Sequence, residues 1–399
     1  MLTKSAKVAA ILAVGASGKT DVLAPPTAME TRILWGKRLQ ELSALMASDD
    51  IATETFENFL SENGKSYANG VERDHRFEIF RENVKKAIQL NLKSNGRAVF
   101  GVTRFMDLTE HEFRKLHKNG GQVFTDQMVS DMMNDVPEWP GMSLLAERSL
   151  NLTTSSRDWR KEGVITPIKD QGQCGSCWAF STVETVEAAA RLVDPTTTFI
   201  GAPQELVSCD HNMDLGCNGG LPTRAYGYLE KNALESEEDY PYTSGTTRKS
   251  GTCKLDASKG KWKVTAYERV AHGMRIFPWT VSRGEKNMKA YILAKGPMSI
   301  GVDATAWQTY QEGILDAEAC GAAQIDHAVQ VVALNQDELK AAESGGSYWV
   351  VRNSWTTGWG EEGYIRLSTD ENSCLITGMA TAASVEKVSS DSVLGEIQI

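Results

Sequence analysis

A chain of 399 residues with 24% charged side chains is long enough for a full hydrophobic core and for two or three domains. Its formal net charge of −10 leaves no electrostatic footprint for nucleic acid. Seven cysteines allow six to pair and leave one thiol over.

Residues 1–18 join Lys4 and Lys7 to an apolar run, Val8–Val14, and to the small residues Ala16, Ser17 and Gly18. A basic start, a short apolar core and a small-residue exit predict a secretory signal peptide. Ala13–Thr20 (AVGASGKT) approaches a phosphate-binding loop but lacks its first glycine, so the signal-peptide exit is the better reading. No later segment has an uninterrupted apolar run of spanning length, and no membrane span is expected. Residues 30–50 read as a mixed helical or loose segment. Further on, Phe77, Phe80, Val84 and Ile88 recur at helical spacing, with Glu72 and Arg76 placed for an i,i+4 ion pair. Residues 117–152 hold Gly120, Gly121, Pro137 and Pro140 with little periodicity and read as a connecting arm. That arm ends in the chain's glycosylation sequon, Asn151-Leu152-Thr153.

The most informative stretch is Gln171–Ser181, QGQCGSCWAFS. After the second cysteine, Trp178, Val183, Val186, Ala190 and Val193 carry an apolar, roughly helical period, which places Cys177 at the start of a helix. Unpaired N–H groups and the positive dipole end there favour a thiolate. A redox pair or half a zinc site is the plainer reading of CxxC, but no second CxxC follows. A second helical stretch falls near Thr223–Lys231. Beyond Val264 the sequence turns to short apolar runs, Met298–Val302, Ala328–Leu334 and Tyr348–Val351. Helices followed by strands predict an α+β fold with a helical lobe and a β-barrel-like lobe. Met274–Lys286, with Phe277-Pro278-Trp279, reads as a surface loop or padding, and the chain after Val385 as a polar tail.

A thiol nucleophile needs a base, and the base needs an orienting partner. Of six histidines, His75, His111 and His117 lie upstream of the cysteine motif, His211 in a polar turn and His272 in an irregular region. His327 stands at the mouth of an apolar strand, 150 residues after Cys177.

At Gln171, Cys174, Gly175, Ser176, Cys177 and Trp178 the sequence resembles the papain-like cysteine peptidases, whose Cys-Gly-Ser-Cys-Trp core it repeats. The resemblance implies Cys177 as nucleophile, His327 as base, Asn353 as orienter of the imidazole and Trp355 as shield of that hydrogen bond. Gln171, with the backbone N–H of Cys177, would form the oxyanion hole. It also implies the disulfides Cys174–Cys217, Cys209–Cys253 and Cys320–Cys374 among the fifteen pairings six cysteines allow. The matching specificity pocket is Leu221, Pro222, Gly301, Ile325, Ala328 and Met379, none charged, so an apolar side chain is expected one residue before the scissile one. With no paired histidines in an extra loop and no large insert, an endopeptidase is expected.

Upstream, Glu72, Arg76, Phe80, Asn83 and Asn91 match the long-helix motif of the family's inhibitory propeptide, with Ala87 where isoleucine is usual. Gly101, Thr103, Phe105 and Asp107 match its second motif, with threonine where asparagine is common. With the signal peptide read over 1–18 and the polar tail over 386–399, these motifs imply a propeptide over 19–152, with an inhibitory helical domain over about 52–116 and its arm over about 117–152, ahead of a peptidase domain over 153–385. The expected protein is a monomeric zymogen of the secretory route, extracellular or lysosome- or vacuole-like. It needs no cofactor or metal, acts on proteins or peptides, and has its own propeptide as inhibitor. A non-catalytic family member would have lost one catalytic residue, and this chain keeps Gln171, Cys177, His327 and Asn353.

Overall fold

The computed structural model describes residues 24–142, 156–211, 213–273 and 278–388. The signal-peptide pattern, the phosphate-loop-like run, the sequon at Asn151 and residues 389–399 of the tail lie outside these.

The first part of the chain is helical, and its caps explain where each helix begins. α1 (Ala28–Ala47) opens on a capping box in which Thr27 and Glu30 satisfy each other's backbone N–H groups. α2 (Asp49–Glu62) starts from Ser48, and α3 (Gly70–Ser94) from Asn69. Residues 30–50, expected to be mixed helical or loose, are therefore helical but for the Ser48 junction. Phe56 and Phe59 of α2 pack on Phe80 of α3 at ring separations of 5.4 and 5.3 Å, forming the core of this unit. Glu72 and Arg76 do not pair as their spacing suggests. Glu72 Oε2 turns back to accept the Ala68 N–H at 3.0 Å, while Arg76 reaches Glu112 at 2.8 Å and the Asp107 carbonyl at 3.0 Å. Glu112 belongs to α4 (Glu110–His117), itself opened by a Thr109–Glu112 capping box. The arm is less irregular than its sequence suggests, because α5 (Asp126–Met133) forms within it from the N-cap Thr125.

The rest is a two-lobed α+β body. One lobe is built on α6 (Cys177–Val193), with α7 (Pro203–Cys209), α8 (Pro222–Leu229) and the short α9 (Ser244–Thr247). Trp178, Val183, Tyr226, Leu229 and Trp262 form its core. The other lobe is a sheet of β3 (Trp262–Ala271), β4 (Met298–Val302), β5 (Tyr310–Leu315), β6 (His327–Asn335), β7 (Tyr348–Arg352), β8 (Tyr364–Ser368) and β9 (Met379–Lys387). β1 (Ala98–Phe100), from the prosegment, and β2 (Arg157–Asp158) join it. The order is β1-β5-β8-β7-β6-β4-β9-β3, with β2 paired to β6. All pairs are antiparallel except β5 with β8. Met274–Lys286 is not a loop throughout, since α10 (Pro278–Ala294) begins at a proline, a residue suited to a first helical turn. Two short helices, α11 (Ala317–Cys320) and α12 (Glu338–Ser344), complete the lobe. α6 lies between the lobes, its Ser181 hydroxyl donating to the Val329 carbonyl of β6 at 2.8 Å. This contact sets the first residue of α6 beside the first residue of β6.

Candidate active site

Cys177 is the first residue of α6 and His327 the first of β6, so helix and strand deliver both to the seam between the lobes. The other six cysteines are joined as Cys174–Cys217, Cys209–Cys253 and Cys320–Cys374, which leaves Cys177 as the free thiol. Its Sγ accepts the N–H of Ala328, the residue after His327, at 3.3 Å. The His327 Nε2 lies 2.8 Å from Asn353 Oδ1. Asn353 Oδ1 also accepts the Ser354 N–H at 2.8 Å and has no proton to give, so Nε2 carries the hydrogen and Nδ1 is the free, basic nitrogen. Trp355 stacks on the imidazole at 4.8 Å, Trp307 meets it edge-on at 6.0 Å, and both His327 and Asn353 are buried.

Gln171 is fully buried, its Nε2 donating to the Cys174 carbonyl at 3.0 Å. The Ser354 hydroxyl donates to its Oε1 at 2.7 Å, which fixes the side-chain amide with Nε2 facing the cleft. Sequence reading missed Ser354, although it sits between Asn353 and Trp355. The pocket residues assemble from both lobes. Leu221, Ile325 and Met379 form one apolar cluster, joined by Leu375, which the sequence reading did not include. Ala328 pairs with Gly301 across β6 and β4, and Pro222 follows Leu221 at the start of α8. A Cβ on Gly301 would stand 2.8 Å from Met379 and 2.9 Å from Ile325, so glycine keeps this pocket open.

The chain from His117 to Met133 lies along this site. Trp355 Nε1 donates to the His117 carbonyl at 2.6 Å, and Gln171 Nε2 to the Lys118 carbonyl at 3.2 Å. The Asn119 side-chain amide then takes both backbone groups of Gly220, each at 3.1 Å, with its Oδ1 3.7 Å from Cys177 Sγ. Gly120, at φ +62°, lies so close to the groove floor that a Cβ there would be 2.2 Å from Asn218. Phe124, Val129 and Met133 occupy the apolar pocket. Cys177 and His327 are thereby cut off from water, and burial dominates their titration. The Cys177 thiol is pushed up to about 12 and the His327 imidazole down to about 3, so the covered site holds a neutral thiol beside a neutral imidazole. The thiolate expected from the helix terminus is suppressed by desolvation in this state. His117, buried against Phe105 and Phe113, is likewise pushed down to about 3 by burial, with Arg104 and Lys65 adding to the effect.

Among the described residues, no helix is long and apolar enough to cross a membrane. Residues 153–384 match the family model of the papain family cysteine proteases, and residues 56–113 that of the cathepsin propeptide inhibitor domain. The chain is 33% identical over 337 residues to a cysteine proteinase of Trypanosoma brucei brucei, a match covering 83% of this chain and 66% of that protein. It is 36% identical over 344 residues to the cysteine protease XCP2 of Arabidopsis thaliana, covering 84% of this chain and 87% of that protein. Digestive procathepsin L 3 of the Tenebrio molitor larval midgut superposes with a TM-score of 0.66 at 27% identity, over 84% of this chain and 99% of that structure. Both modules and the prosegment lying along the site agree: the chain belongs to the papain family of cysteine proteases and is a zymogen carrying its own inhibitory propeptide.

Proposed function

We propose that Cys177 is the nucleophile of an endopeptidase, with His327 as its base, Asn353 as the orienter of His327, Trp355 as the shield and Gln171 as an oxyanion donor. The observation that carries this reading is the placement of the free thiol beside His327, whose Nε2 is committed to Asn353 and whose Nδ1 stays available. Once the prosegment leaves, Nδ1 takes the thiol proton and the thiolate attacks the peptide carbonyl. The C–N bond breaks as Nδ1–H protonates the leaving amine. Water, giving a proton to Nδ1, then attacks the thioester and displaces Cys177. Gln171 Nε2 and the Cys177 N–H hold the oxygen as it becomes negative. The Lys118 carbonyl bonded to Gln171 supports this role, because a prosegment oxygen already sits on that donor.

The pocket of Leu221, Pro222, Gly301, Ile325, Ala328 and Met379 selects a bulky apolar residue one position before the residue whose carbonyl is attacked. Its filling by Phe124, Val129 and Met133 supports that preference. The mature peptidase spans about 153–385, and its three disulfides suit an oxidising secretory route, ending outside the cell or in a lysosome- or vacuole-like compartment. Cys177→Ser tests the assignment. It should abolish both thiol labelling and hydrolysis of a peptide with leucine at the pocket position, and hydrolysis surviving in that variant refutes it. N-terminal sequencing of the processed form reads the boundary, and a preference for arginine at the pocket position would overturn the specificity.

A further inference from the structure

One buried ion pair in the groove joins the prosegment to the peptidase body. The Lys118 ammonium meets Oδ2 of Asp326, with the lysine side chain fully buried and the aspartate 2% exposed. The second cation near that oxygen, Arg114 Nε at 3.6 Å, also belongs to the prosegment. From the body, Asp326 Oδ1 accepts the Ala304 N–H at 3.0 Å. The neighbouring acid, Asp303, is occupied by the N–H groups of Thr305, Ala323 and Gln324. When the prosegment departs, both cations at Oδ2 depart with it, and the groove retains an anionic oxygen turned toward the space the lysine filled.

Where that oxygen lies relative to the cut follows from the path of the chain. The Lys118 carbonyl is on Gln171, Asn119 is on Gly220 beside the sulfur, and Phe124 is in the apolar pocket. Lys118 and the pocket are therefore on opposite sides of Cys177. If the pocket holds a residue before the scissile bond, Asp326 faces the leaving-amine side. We propose that in the mature enzyme Asp326 is a specificity-determining residue that selects lysine or arginine at the first position after the scissile bond, a site for which Lys118 is the built-in occupant. This inference rests on the peptidase reading given above. A carboxylate with its other oxygen bonded to Ala304 is held in place before the substrate arrives, so little ordering is needed to form the pair.

The test uses the processed enzyme and internally quenched peptides that are identical before the cut and carry lysine, N-acetyl-lysine or norleucine immediately after it. At low salt, kcat/KM for lysine should exceed that for norleucine by about tenfold, as expected for a close, partly desolvated charge pair. N-acetyl-lysine should behave like norleucine, and the lysine advantage should shrink at high salt. In Asp326→Asn the lysine-to-norleucine ratio, taken within the variant, should fall to near one. A ratio near one in the unaltered enzyme at low salt overturns the proposal, as does a ratio unchanged in Asp326→Asn. Should that variant fail to mature, equal cleavage of lysine and N-acetyl-lysine peptides by the unaltered enzyme overturns it equally. Failure to cut any of the three peptides would instead strike the peptidase reading itself.

Discussion

Protonating His117 works against the docked prosegment. In water a histidine titrates near 6.5, but burial holds this one down to about 3. A group whose docked value is depressed contributes its full stabilisation above the free value and loses it as pH falls toward the docked one. Between about pH 6.5 and 3 the released prosegment binds a proton that the docked one refuses, a difference of about 2 kcal/mol at about pH 5. Inhibition of the mature enzyme by the separate propeptide should therefore weaken steadily from neutral to mildly acid pH, and His117→Phe should flatten that slope. An unchanged slope in the variant would assign the trigger elsewhere. Glu112 is a poor alternative: burial alone would raise it, but its bonds to Arg76 and Thr109 prevail and bring it from 4.5 down to about 2, so its contribution is intact above about pH 4.5 and is lost only below that, as pH falls toward 2. For Gln171→Ala, kcat should drop by about a hundred- to a thousandfold with KM little altered, as measured by steady-state kinetics. The four residues proposed for the chemistry could be picked out because each sits in a local motif. Lys118, Asn119 and Ser354 could not, since each takes its significance from a partner a hundred or more residues away, Asp326, Gly220 and Gln171 respectively.

At the scale of elements, α1 shows what periodicity conceals. Over its length only Thr31, Leu42 and Leu45 are buried, too few to draw an apolar stripe, so the sequence left the segment open between mixed helical and loose. Its capping box, Thr27 with Glu30, was the available signal. The helix nevertheless ties the prosegment together, with Trp35 Nε1 donating to the Asn91 carbonyl at 2.8 Å. Truncating the propeptide through residue 47 should weaken its inhibition in trans by about tenfold or more, the loss expected from uncovering a single leucine site. Inhibition constants for the full and truncated propeptides decide the point. α10 was hidden for the opposite reason, because Phe277-Pro278-Trp279 looks like loop chemistry until Pro278 is placed in a first helical turn. By contrast α6, β6 and β7 lay where their apolar runs put them, since each is buried along nearly its whole length.

For the molecule as a whole, the two-lobed α+β plan followed from the change of pattern near Val264, while the sheet's outer border did not. Three residues of the prosegment form that border: β1 pairs Ala98, Val99 and Phe100 with Gly313, Glu312 and Tyr310 of β5. Next to this pair, Ile314 donates its N–H to the Arg97 carbonyl at 2.7 Å. Maturation consequently strips the catalytic body of a flanking strand, and β5 becomes a fringe with idle amides open to solvent. Hydrogen–deuterium exchange at Ile314 should quicken on processing while Ile300, enclosed between β6 and β9, stays slow. Equal protection of Ile314 before and after processing would mean that another segment takes over the vacated rim. A raw margin this short offers little purchase for chain-to-chain stacking, which lets the enzyme shed its guardian without inviting clumping.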